Sequence, residues 1–285
     1  MATATLHMGY VGHAKVGPTN YFITGSSLNP AQTVEAPDVV AGYEMRRGWN
    51  YAKVETGGNI TGPIHENATS LWAETINRTA EKDHLANKVN VEIAYYGGMG
   101  RTFPDCYIGS LNIACTAGDV ATFTIDFMTA SRPTPLTTSI TPVDCAKLIT
   151  WDRCSMDIAG LTSQYAQSFT ITVNNNLQRA YAISTTSISE MDLFPIDVPA
   201  GVREITGTIS FYAQGQIDAV FPVAPGAFGA NKWSEYTAGS TTNITFNVGG
   251  IINQTFKSKF HRAESAATTG LTIYTVNFTG VCDLV

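Results

Sequence analysis

Asp144, Asp152 and Asp157 lie close together in the chain. Two carboxylates held near one another can divide acid–base work, one protonating a leaving group while the other activates water. Aspartate is also a common turn residue, because its short side chain accepts hydrogen bonds from nearby backbone N–H groups. The turn role is the preferred reading of all three. Gly97-Gly98-Met99-Gly100 could form a loop that approaches phosphate, but no lysine follows it and no strand–loop–helix frame surrounds it. Asn174-Asn175-Asn176 could hold an ion through side-chain carbonyls. A tight turn is the simpler expectation, since Asn tolerates left-handed backbone angles. The five histidines, His7, His13, His65, His84 and His261, are scattered, with no His-Glu-x-x-His or His-x-His pairing. No Gly-x-Ser-x-Gly nucleophile elbow occurs. These residues lead to no catalytic, cofactor-binding or metal-binding expectation.

The five cysteines, Cys106, Cys115, Cys145, Cys154 and Cys282, are odd in number and form no Cys-x-x-Cys. They are expected to be reduced and mostly buried, behaving as small apolar side chains. Six Asn-x-Thr sequons, at Asn59, Asn67, Asn77, Asn243, Asn253 and Asn277, reflect a composition rich in Asn and Thr. The opening residues show no signal-peptide character, and no apolar segment reaches bilayer-spanning length.

Composition narrows the function classes. Of 285 residues, 44% are hydrophobic and only 14% are charged. A typical soluble domain carries about 25% charge. Thr, Asn, Ser and Gly replace the missing charges, which suits a surface largely covered by neighbours. The net charge of −6 and the lack of any Lys/Arg run beyond Arg46-Arg47 argue against a protein that grips nucleic acid.

The elements that must position these residues are mainly strands. Strict apolar–polar alternation marks half-buried strands at 122–127, 169–174, 204–212, 243–248 and 274–279. In two of them the division of faces is explicit. Phe169, Ile171, Val173, Ile205, Ile209 and Phe211 should turn to the core, because successive side chains leave opposite faces of a strand. Thr170, Thr172, Thr206, Thr208 and Ser210 then share the other face, the candidate functional face. A short helical insertion is expected at about 68–86, with Thr69 or Ser70 as cap and Glu74 in its first turn. Pro222 and Pro225 mark 221–230 as a loop. The simplest organisation is a mainly β protein with one β-rich unit over 1–285.

The stretch Ser168–Gln214 carries a resemblance. Its components are Ser168-Phe-Thr-Ile-Thr-Val-Asn-Asn-Asn-Leu177, Ala180-Tyr-Ala-Ile183 and Pro195-Ile-Asp-Val-Pro-Ala-Gly-Val-Arg-Glu-Ile-Thr-Gly-Thr-Ile-Ser210. Tyr21–Pro30, Phe103–Leu111 leading into Ala117-Gly-Asp119, and Gly270–Gly280 agree with it. The pattern resembles the tail tube proteins of long-tailed bacteriophages. The insertion near 68–86 is not part of the pattern.

The resemblance implies a β-sandwich or barrel-like subunit, whose inner strands join those of its neighbours into one continuous hexameric barrel. It implies stacked hexameric rings forming a tube in the virion, made in the bacterial host cytoplasm. Its other partners would be a tail terminator, a tail tip or baseplate, and a tape measure protein. DNA would pass through the lumen without specific binding. The five-residue hydroxyl face would line the lumen or meet a neighbouring subunit. Three other readings compete. One is a carbohydrate-binding or adhesive β-sandwich, which the aromatics Trp49, Trp72, Trp151 and Trp233 would serve. The others are a tail-associated glycosidase with two convergent carboxylates and another ring-forming tail protein, such as the terminator.

Overall fold

Alternating segments pair into ladders in the computed structural model. It describes residues 12–35, 50–76, 88–94, 100–137, 139–143, 147–158, 166–181, 194–212, 242–268 and 271–281. The strands are β1 (Gly12–Val16), β2 (Thr19–Ile23), β3 (Gly25–Ser26), β4 (Asn29–Glu35), β5 (Asn50–Pro63), β6 (Lys88–Ala94), β7 (Gly100–Thr116), β8 (Thr122–Thr129), β9 (Thr134–Pro135), β10 (Cys154–Ile158), β11 (Ala166–Asn174), β12 (Glu204–Tyr212), β13 (Thr242–Val248), β14 (Ile252–Thr268) and β15 (Leu271–Val281). The described helix, α1 (Leu71–Ile76), interrupts them between β5 and β6. Among the described residues no helix is long and apolar enough to cross a membrane.

All pairings are antiparallel, and the strands form one sheet in the order β10-β13-β14-β15-β12-β11-β7-β6-β1-β2. β8 joins β7 to β5, which in turn carries β3 and β4, while β9 pairs with β7. The five segments expected as strands from alternation fall within β8, β11, β12, β13 and β15. The turn between β13 and β14 follows from its glycines. Gly249 and Gly250 take φ of 59° and 74°, and the Ile251 N–H closes on the Val248 carbonyl at 3.1 Å. Two consecutive positive φ angles match the right-handed twist of the flanking strands, and glycine adopts them without a Cβ penalty.

The sheet curls so that its apolar face closes on itself. Three strands separate β13 from β11 in the ladder, yet the Phe246 and Phe169 rings lie 5.3 Å apart. Phe246 also stacks on Phe278 of β15 at 5.7 Å and approaches Phe256 of β14 at 6.3 Å. Tyr21 of β2 meets Phe123 of β8 edge-on at 5.1 Å. Strand twist supplies the curvature, and burial of these rings holds it. Residues 147–153 tie the curled parts together. Ile149 donates to Ile64 (2.8 Å) and accepts from Ala121 (2.9 Å), Trp151 donates to Asp119 (3.0 Å), and Gly249 donates to Arg153 (2.9 Å).

Helix α1 packs into this core through Leu71 and Trp72, the indole lying 5.6 Å from the Phe256 ring. Glu74 stands in its first turn, and its N–H reaches the Ser70 carbonyl at 2.8 Å. The expected helix at 68–86 is therefore present as six residues, with 77–86 outside the described residues. The expected loop at 221–230 also lies outside them.

Two packing details have measurable consequences. Gly207 faces the core directly opposite Phe278, and the aromatic ring fills the space a side chain would take. A Cβ at this position would stand 2.3 Å from the Phe278 ring and 2.4 Å from the Thr170 carbonyl. Gly207→Ala should lower stability by about 1–3 kcal/mol, the usual cost of forced overpacking, read as a reduced urea midpoint. An unchanged midpoint would contradict this packing.

His65 is buried against Tyr21, with ring centroids 5.4 Å apart, and its Nδ1 accepts from the Asn67 N–H at 3.2 Å. Burial pushes its pKa below the ordinary 6.5. The unfolded chain then takes up a proton that the native state resists, so stability is full above about pH 6.5 and falls with acidification. Urea midpoints at pH 7.5 and 5.5 should differ more for the native sequence than for His65→Asn. Equal differences would remove His65 from the acid response.

Candidate functional site

β11 and β12 lie side by side at the centre of the ladder, with Thr170 opposite Thr208, Thr172 opposite Thr206, and Ser168 opposite Ser210. Phe169, Ile171, Val173, Ile205, Ile209 and Phe211 are all buried. Thr170, Thr172, Thr206, Thr208 and Ser210 project from the opposite face with partial or full exposure. β-branched threonine suits this position because its branched carbon covers the pleat while its hydroxyl remains available for bonding.

Strand register extends the five residues into a much larger surface. One row crosses the sheet as Thr61, Thr124, Asn112, Thr172, Thr206 and Thr279. Thr61 and Thr124 share a 3.1 Å hydrogen bond, and Asn112 Nδ2 donates to Thr172 Oγ1 at 2.7 Å. A parallel row places Thr170, Thr208 and Asn277 together, Thr208 Oγ1 donating to Asn277 Oδ1 at 3.0 Å. A third sets Thr116, Ser168, Ser210 and Thr275 in line, with a 3.1 Å bond between the last two. A fourth runs through Asp126, Ser110, Asn174 and Glu204, with Ser110 donating to Asp126. The face is therefore a lattice of hydroxyls and amides, many already paired with one another. Where these rows cross β8, β7, β11 and β12, they contain Asp126 and Glu204 but no Lys or Arg. Lys257 and Lys259 stand farther out, on β14.

The candidate face named from sequence was thus the middle of a broader one. Asn112, Ser110 and Asn277 were not assigned to it. Their polar positions within alternating strands were visible, but only the register brings them beside Thr172, Asn174 and Thr208.

The asparagine run forms the expected turn. Asn176 has a φ of 49°, and its N–H donates to Asn174 Oδ1 at 2.9 Å. Asn175 is buried, and its Nδ2 donates to the Thr75 and Ile108 carbonyls at 3.1 and 2.9 Å. Its Oδ1 accepts from Arg203 Nε at 3.0 Å. One side chain thereby links the end of β11 to α1, β7 and the approach to β12. Its carbonyl faces a guanidinium, an arrangement unsuited to holding a cation.

The other candidates disperse. Asp152 lies in a short 3-10 turn, Trp151–Arg153, and Asp157 is exposed on β10. Asp144 and residues 97–99 lie outside the described residues, while Gly100 opens β7. His13 lies on β1 and His261 on β14, whereas His7 and His84 are outside. Trp72 belongs to the core and Trp151 is half exposed, while Trp49 and Trp233 lie outside the described residues. Cys106, Cys115 and Cys154 are free thiols, while Cys145 and Cys282 lie outside.

A continuous antiparallel sheet with a polar, hydroxyl-lined face defines a mainly β protein. The sequence matches the family model described as phage tail tube protein over residues 3–216, and the chain belongs to that family. It is accordingly a structural component of a phage tail, one that assembles with itself and with other tail proteins. No curated protein matches the chain.

Asn175→Ala should cost about 2–3 kcal/mol, because it removes the buried amide that bonds two carbonyls and the half-buried Arg203 guanidinium. Thr208→Val removes a half-exposed hydroxyl and should cost less than about 1 kcal/mol. Urea unfolding of both variants checks the contrast. Equal losses would mean that the turn and the polar face bear equally on stability.

Proposed function

We propose that this chain is the subunit of a tail tube, forming hexameric rings that stack around a channel for genome delivery. The family match over residues 3–216 is the observation that carries the reading. The whole chain acts as one β-rich unit, since β13–β15 near its end share a ladder and a core with β1–β8. In the described ladder β10 and β2 are terminal strands. Pairing of open edges between neighbours would close the sheets into one barrel, converting aggregation-prone edges into assembly contacts. Ring stacking is a head-to-tail contact that propagates without closing. The subunit has no catalytic role in this reading. Its further partners are the terminator, the tip or baseplate, and the tape measure protein, with synthesis in the host cytoplasm.

Thr170, Thr172, Thr206, Thr208 and Ser210 line the lumen. The support is chemical. Hydroxyls bonded to other hydroxyls and amides offer a phosphate no point cation, and Asp126 and Glu204 repel it. DNA then slides past with little friction and no sequence preference.

Purified protein should form rings or tubes in electron microscopy and sediment accordingly at high concentration. Monomer at every concentration, even with native tail components present, would overturn the assembly. Rings that never stack would favour a terminator. Thr208→Lys should fold and assemble, yet slow or stall DNA release. Each ammonium attracts a phosphate by about 1 kcal/mol at 4 Å in water, and each ring presents six of them in the proposed tube. Normal assembly with normal release would remove Thr208 from the lumen.

A further inference from the structure

Cys115 and Cys154 are far apart in sequence but meet where the curled sheet is tied together. Cys115 is the penultimate residue of β7, buried opposite Phe169. Cys154 opens β10 opposite Val248 and packs, half-buried, against the core that contains Cys115. Backbone bonds fix the two segments. Past the end of β7, the Asp119 N–H returns to Thr116 at 3.0 Å, and the Asp119 carbonyl accepts from Trp151 at 3.0 Å. Arg153, the residue before Cys154, donates to Thr150 at 3.0 Å and accepts from Gly249 at 2.9 Å. Across this joint the Cys154 and Cys115 side chains come together, close enough for each thiol to act on the other. The Cys154 thiol also lies 3.7 Å from the Thr150 carbonyl.

The chemistry of the pair differs from that of the third described cysteine. Cys106, buried among apolar groups, has its thiol pushed up to about 12 and is inert at neutral pH. Between Cys115 and Cys154 the interaction of the two neighbouring thiols draws one thiol pKa down and drives the other up. The pair therefore releases its first proton more readily than a lone buried thiol.

We propose that Cys115 and Cys154 are an oxidation site, which a low-molecular-weight disulfide converts to an intramolecular disulfide. The half-buried Cys154 gives the reagent access. One sulfur of the pair, as thiolate, attacks a sulfur of the reagent, forming a mixed disulfide and expelling one small thiolate. The second protein thiol then loses its proton and displaces the other small thiolate. Two protein thiols are oxidised, and one small disulfide is reduced to two small thiols. The bond staples the end of β7 to the start of β10, across the joint made by residues 147–153. It is compatible with synthesis as free thiols in a reducing compartment and closure after release into an oxidising one. The site stands independently of the proposed ring.

The test treats the purified full chain with oxidised glutathione at about pH 8, where thiolate forms. Remaining thiols are then alkylated in denaturant, and intact mass and peptides are measured. The expected product has two fewer alkylated cysteines, a Cys115–Cys154 cross-linked peptide pair, and Cys106 still alkylated. Its melting midpoint should rise by about 5 °C and return on reduction. Cys154→Ser should show neither the cross-link nor the rise. Full alkylation of Cys115 and Cys154 after oxidation would overturn the proposal. So would a glutathione adduct that persists on Cys154, or cross-linking of either residue to another cysteine.

Discussion

The cluster of Phe169, Phe246, Phe256 and Phe278 is the interaction on which the remaining architecture depends. These rings come from four strands of one ladder, and Phe169 reaches Phe246 across three intervening strands because the sheet bends back on itself. Their burial stabilises the bend, with each large side chain contributing roughly 1.5–3 kcal/mol of apolar transfer. Once the bend exists, every strand has an assigned inner face. Gly207 leaves space for the Phe278 ring, and Trp72 brings α1 onto Phe256. The backbone bonds of residues 147–153 then join parts of the sheet that the ladder alone would leave apart.

The outer face follows from the same constraint. A strand with Phe169, Ile171 and Val173 inward must present Thr170, Thr172 and Asn174 outward. Register aligns that set with hydroxyls and amides on neighbouring strands, so that much of the surface bonds within itself. Self-bonding keeps such a face polar without making it adhesive, because hydroxyls engaged with one another have less to offer a passing ligand. A low charge density over the central strands has the same effect on phosphate. Structural stability and the proposed sliding function therefore draw on the same residues.

How much of this was legible in the sequence depended on whether each signal was local. β11 and β12 alternate without interruption, and their two faces could be assigned residue by residue. β7 was harder. Pro104, the positive φ of 50° at Asp105, the buried run Cys106–Ile108 and the irregularity between Ile108 and Ser110 break its period. β14 was obscured because Lys257, Lys259, His261, Arg262 and Glu264 make it look like an exposed segment, although it pairs on both sides. The asparagine run was legible as a turn from Asn backbone tolerance alone. The link from Asn175 to Arg203, and the meeting of Cys115 with Cys154, were not, because both depend on how distant segments fold together.

In the proposed tube the hydroxyl face of β11 and β12 points into the channel. A helical reconstruction of tubes by electron cryomicroscopy, at side-chain resolution, tests it most directly. The expected result is a channel wall in which Thr170, Thr172, Thr206, Thr208 and Ser210 contact solvent in the lumen and Phe169, Ile171 and Ile209 lie within each subunit. Finding those five residues on the outer surface of the tube, or sealed in contacts between stacked rings, would contradict it.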